Sequence, residues 1–189
     1  LLLIGGGAWF IFCVNKEECA NDKYADMIAQ GLGRDGVYQI GDYYNRNGKE
    51  GVVFEVWDGG HHGKIVSLDE TKEVKWDSRV EWNYSEQTFI NGNKTDANDS
   101  SDGKANTNKI MDRADSEYFE PFVWCRKKGA DWYLPAHDEL MAIYNNKSAI
   151  NSTLAEYNAE LINGYYWSST EDKYSPEGCA FCVGMGNAI

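Results

Sequence analysis

The rhythm of hydrophobic and polar positions changes along the chain, and each change marks an element. Residues 1–14 (LLLIGGGAWFIFCV) are almost wholly apolar, and Lys16, Glu17 and Glu18 then open a polar segment. Over 17–30 the side chains Cys19, Tyr24, Met27 and Ile28 recur at weak helical spacing before Gly31, Gly33 and Gly36, which predicts a short connecting helix. From Val37 the apolar positions fall into short blocks at 37–41, 52–57 and 64–68, divided by Asn- and Gly-rich turns at 45–48 and 58–60. That pattern predicts an antiparallel meander. A long polar stretch, 77–104, reads as a loop.

Helical spacing returns beyond it. Helices are expected over 107–114, over 116–128 with Phe119, Phe122, Val123 and Arg126 on one face, over 137–145 with Leu140, Met141 and Tyr144 inward, and over 148–162. Pro121 falls in the first turns of the second helix and Gly129 just past its end, as helix termini favour. Residues 132–135 are extended, because Pro135 pushes Leu134 out of helical space. Strands are expected again at 165–170 and 178–185. The order β, α, β without a repeat predicts one mixed α+β domain with antiparallel sheets and flanking helices.

Composition adds limits. A chain of 189 residues can bury roughly 70% of its unfolded surface, enough for one core. With 18 Lys and Arg against 30 Asp and Glu the formal charge is −12, which repels phosphate backbones and excludes nucleic acid as a partner. An apolar run of 14 residues is shorter than the ~20 that span a bilayer. It matches the tail of a signal h-region or a truncated membrane anchor, or else a buried N-terminal strand. The chain therefore divides into 1–14 as the end of a signal or anchor, 15–36 as a connector and 37–189 as the domain. Of five cysteines, Cys13 is the natural odd one out. Cys179 and Cys182 form a CxxC with three open readings: a redox or metal half-site, a disulfide from Cys125 to Cys179, or buried free thiols.

Catalytic signals are weak. His61 and His62 are adjacent, so on a strand they point to opposite faces and read as a solvated turn. His137 has no second histidine one turn on, and Asp138 and Glu139 read as first-turn acids. Asp96 to Gly103 spaces oxygen ligands as a calcium loop does, yet lacks the central glycine and has Thr107 where an acid is needed. Calcium is thus weakly supported, and neither a cofactor nor an enzymatic activity is expected.

Three stretches carry a resemblance: DWYLPAHDEL (131–140), YYWSSTE (165–171) and CAFCVGMGN (179–187). Together with upstream YQIGDYYNRNGKEGVVFEV, HGKIVSL and FVWCRKKGADWYLP, they resemble the bacterial domain of unknown function 1566, the Legionella collagen-like protein C-terminal domain, in the form found in gut Bacteroidales. The resemblance covers about residues 37–187 and implies a C-type-lectin-like fold. Some relatives are the variable targets of diversity-generating retroelements. It therefore implies a non-enzymatic display scaffold, secreted or anchored at the cell surface, for a protein or glycan ligand on another cell or phage. Phe181, Cys182, Gly184 and Asn187 match the region that varies in such relatives. The family's closing strand does not appear in this sequence, so the expected sheet lacks its last strand. Glu120-Pro121 is followed by Phe122, unlike the calcium triplets of sugar-binding lectins. Alternation along 165–170 puts Tyr165, Trp167 and Ser169 on one face, with Trp132, Leu134 and Trp167 as the expected core and Glu171 starting an exposed loop. Two rivals stand beside the binding module: a relative of the formylglycine-generating oxidases, which use paired cysteines, and a purely structural envelope domain.

Overall fold

The computed structural model describes residues 24–186. Expectations for 1–14, Cys13, Cys19 and Asn187 lie outside the described residues. The chain is mixed α+β, with seven strands in three small antiparallel sheets among the described residues. The strands are β1 (Tyr43–Arg46), β2 (Lys49–Trp57), β3 (His62–Val66), β4 (Glu81–Asn83), β5 (Thr88–Ile90), β6 (Tyr165–Glu171) and β7 (Ala180–Gly184). The helices are α1 (Gly103–Met111), α2 (Glu120–Lys127), α3 (His137–Asn145) and α4 (Lys147–Glu156), preceded by a helical stretch at 24–29. Among the described residues, no helix is long and apolar enough to cross a membrane.

Two compact units share these elements, divided between Leu68 and Asp69 where the sequence pattern marks no boundary. The first holds the sheet β1-β2-β3 and most of α4. Asn47 and Gly48 both take positive φ (55° and 72°), so β1 and β2 close through a two-residue turn whose twist matches the strands. The expected strand at 37–41 is instead a turn with a single bridge from Arg34 to Val37. Its N–H groups are used elsewhere: Tyr38 donates to Gly60 O (2.9 Å) and Gly41 to Val53 O (2.8 Å). Tyr157, just beyond α4, stacks on Tyr43 with ring centroids 3.9 Å apart.

The second unit contains the remaining helices and the hairpins β4–β5 and β6–β7. Its core joins Trp76, Ile110, Phe119, Phe122, Cys125 and Leu134. Trp76 meets Phe119 and Phe122 edge-on at 5.4 and 5.3 Å, the geometry favoured by ring quadrupoles. Helix α2 starts at Glu120 because Pro121 occupies its first turn, while Ser116–Tyr118 forms a separate 3-10 turn. Helix α3 has the expected bounds, but its buried face is Glu139, Leu140 and Ile143, and Tyr144 is exposed.

Asp115 ties this unit's surface together. It accepts from Arg113 Nε (2.8 Å) and Arg79 Nη1 (2.7 Å), and these bonds hold its carboxyl down at about 2 against the opposing effect of burial. A depressed folded pKa contributes stability that is complete above the unfolded value and lost as pH falls through the folded one. Asp115→Asn is accordingly expected to cost about 1 kcal/mol at pH 7, discounted for partial exposure. In urea melts from pH 7 to 2, the gap between variant and wild type should close between about pH 4 and 2.

Candidate functional site

Strand β6 changes character along its length. Tyr165 and Trp167 alternate outward, 85% and 37% exposed, with Tyr166 half-buried between them. Past the irregularity after Trp167, Ser168, Ser169, Thr170 and Glu171 are all buried. Both sides of that half are occupied. Ser169 N donates to Pro135 O (2.8 Å), Glu171 N to Ala97 O (2.7 Å) and the Trp76 indole N–H to Ser168 O (2.8 Å). Two small serines let these neighbours approach.

This corrects three expectations. Of the expected core trio, only Leu134 is buried in the core; Trp132 is half-buried and Trp167 faces solvent. The indole place falls to Trp76, because the backbone beside Ser168 leaves room for a ring that Trp167, on the outward face, cannot fill. Glu171 does not start an exposed loop. It ends β6 at 2% exposure and accepts from Thr95 N (2.5 Å), Thr95 Oγ1 (2.9 Å) and Asp96 N (3.0 Å).

The variable-region candidates separate. Cys182 pairs with Trp167 and Gly184 with Tyr165 across the β6–β7 ladder, and both are exposed. Cross-strand partners share a face, so Tyr165, Trp167, Cys182 and Gly184 form one solvent-facing patch. The Tyr165 ring lies over Gly184, where a Cβ would stand 3.1 Å from Tyr165 Cε1. Phe181 points to the other face and packs 5.4 Å from the His137 ring. Behind the patch, Tyr166 donates to Glu70 Oε2 (2.5 Å); burial and that carboxylate push its hydroxyl up to about 12.

Trp167 also belongs to a groove of about 290 Å³, lined with Val74, Trp76, Val80, Trp82, Phe89 and Pro176. Its Nε1 donates to Val74 O (3.1 Å), which fixes the ring. The opposite wall is the hairpin β4–β5, where Trp82 and Phe89 pair across the strands with centroids 4.8 Å apart. Phe89 seats directly on Gly178, where a Cβ would overlap the ring, and Gly92 touches the Glu177 carbonyl in the same way. This hairpin lies inside the stretch read as a loop. The signal that could have found it was turn chemistry over Asn83 to Gln87 with one aromatic on either side, Trp82 and Phe89.

The described cysteines Cys125, Cys179 and Cys182 are all free thiols, so the Cys125–Cys179 disulfide is not formed. Ala180 takes the core position at the start of β7, and alternation turns Cys179 away from Cys125. Burial pushes the Cys125 thiol up to about 12 and raises Cys179. In the calcium-like stretch, Asp99 accepts from Ser101 N (2.8 Å), Ser101 Oγ (3.0 Å) and Asp102 N (2.9 Å), which folds the loop on itself. Among the described residues no group of three His, Cys, Asp or Glu could hold a metal ion. His61 and His62 are both exposed. Comparison with family models, curated proteins and solved structures finds no match to this chain.

Proposed function

We propose that the chain is a non-enzymatic ligand-binding module of C-type-lectin-like fold, secreted or held at a cell surface. One observation carries the reading: Trp167 joins the solvent-facing patch of Tyr165, Cys182 and Gly184 to the groove shared with Trp82. Large rings held at fixed angles give contact area at low entropy cost, which is what a binding face needs and a solvated surface does not. The scaffold beneath is rigid, because the inner half of β6 is fully buried and bonded on both edges. The C-type-lectin-like fold is supported by the resemblance over 131–140, 165–171 and 179–187 and by the packing of α1 and α3 on β6.

The fluorescently labelled chain should be retained on intact cells of a mixed bacterial community. The double variant Trp82→Ala, Trp167→Ala should lose at least about tenfold in retention, since buried tryptophans dominate interface energies. Equal retention of variant and wild type would remove the groove from the account. Retroelement diversification is supported by Cys182 and Gly184 standing exposed beside the buried stretch Ser168 to Glu171. Sequencing the gene across its source population should then show adenine-directed substitutions at codons 182 and 184, with 168–171 unchanged. A uniform population rejects that part and leaves a module of fixed specificity.

A further inference from the structure

We propose that the groove of the second unit takes a neutral glycan, with sugar rings stacked on Trp82 and Trp167. This rests on the binding-module reading and names its ligand class. The groove offers ring faces rather than donors. Trp82 and Trp167 are 42% and 37% exposed, while the indole N–H groups of Trp167 and Trp76 already donate to Val74 O and Ser168 O. A pyranose has one face of C–H groups that lies flat on an indole, and hydroxyls around its edge that both donate and accept.

The rim suits those hydroxyls. Lys75, Asn93 and Glu177 are exposed at the groove and provide an ammonium, an amide and a carboxylate. Asp77 belongs to the wall, because its oxygens are held by Arg79 at 2.9 and 2.7 Å. An extended peptide fits less well: its carbonyls need a row of donors along the groove, where the Trp167 and Trp76 indoles are committed and the rim adds Lys75 and Asn93. Charge disfavours an anionic ligand: the chain carries −12 overall, and at the groove Glu177 balances Lys75 while Asp77 is held by Arg79. The volume of about 290 Å³ sits at the low end of ligand pockets, and the Trp82 and Trp167 rings that line it are part-exposed. That shape admits a short segment of a longer chain.

The test is calorimetric titration of the full chain with cellohexaose, chitohexaose, mannohexaose and maltohexaose, with polygalacturonate as the anionic probe and decaproline as the peptide probe. Saturable binding of at least one neutral oligosaccharide is expected, weakened at least about tenfold by Trp167→Ala. Trp82→Ala also removes a partner of Phe89, so Asn93→Ala serves as the variant that leaves ring packing intact; it should weaken binding several-fold without changing the thermal melt. Neutral-glycan binding that ignores all three substitutions overturns the site. Preference for polygalacturonate or decaproline overturns the ligand class and leaves the face as a binding surface. Binding of none of the six probes, with tryptophan-dependent retention on cells intact, overturns the glycan alone. If that retention is also absent, the binding-module reading falls with it.

Discussion

Glu171→Ala is expected to destabilise the second unit by about 3 kcal/mol, because it orphans the buried N–H and hydroxyl of Thr95 and the part-buried N–H of Asp96. The carboxylate accepts from Thr95 N, Thr95 Oγ1 and Asp96 N, and Thr95 itself is buried. Each orphaned buried donor costs about 1–3 kcal/mol, and the cavity left by the side chain adds to that. Glu171→Gln keeps an acceptor for Thr95 and should cost about half as much. Urea denaturation followed by tryptophan fluorescence measures both. The effect should reach the groove as well, since Glu171 clamps 95–97 beside β6 and the chain from Asn93 runs directly into that clamp. Oligosaccharide or cell binding by Glu171→Gln should therefore weaken even where the variant remains folded.

A second buried carboxylate sets two helix starts at once. Glu139 Oε2 accepts from Gly103 N (3.1 Å) at the first residue of α1 and from Ala136 N (2.8 Å) before α3, while Oε1 accepts from the Tyr133 hydroxyl (2.9 Å). Helix N-termini leave N–H groups that need such partners and favour negative charge. Glu139→Ala should cost about 3 kcal/mol through the two buried N–H groups. Gly103→Ala attacks the same junction from the other side. A Cβ there would stand 2.5 Å from Glu139 Oε2 and 2.6 Å from both Ala136 N and Leu134 O, so α1 must move. About 3 kcal/mol is again expected, at the upper end of overpacking penalties. The double variant should cost less than the sum, because losing the carboxylate removes one of the three clashes; strict additivity in a double-mutant cycle would show that the two residues do not share one junction.

Both carboxylates mark where sequence reading reached its limit. Glu139 was legible as a helix-start acid and α3 was legible to its bounds after an extended Pro135, although of the expected inward trio Leu140, Met141 and Tyr144 only Leu140 is buried and Ile143 was missed. What spacing could not give was the depth of Glu139, which depends on Gly103, 36 residues away in sequence. Glu171 follows a hydroxyl-rich stretch and precedes Asp172, a local pattern that spells an exposed turn; its partners come from Thr95 and Asp96, far earlier in the chain. Strands β2 and β3 and the Asn47-Gly48 turn were readable, since that dipeptide has the chemistry its positive φ angles require, but the first strand, expected at 37–41, lies at Tyr43–Arg46.

The candidate site was half legible. Alternation put Tyr165 and Trp167 on one face, as found, but Ser169, expected beside them, is buried past the irregularity, and a tryptophan beside serines was taken for core. Trp76 holds that position through a hydrogen bond that no local pattern encodes. Cys182 and Gly184 lie on the exposed face, Phe181 on the other, and the opposing wall of Trp82 and Phe89 was hidden in a stretch whose polar composition reads as loop. Strands of three residues carry too few positions for a period to show.

Oxidative footprinting of the chain while it is bound to the cells that retain it tests the central claim most directly. The account predicts that Tyr165, Trp167 and Trp82 become protected at least several-fold, while Tyr144, exposed in the same unit but outside the patch and the groove, oxidises as in the free chain. Unchanged oxidation of Trp82 and Trp167, with protection appearing elsewhere, would contradict it.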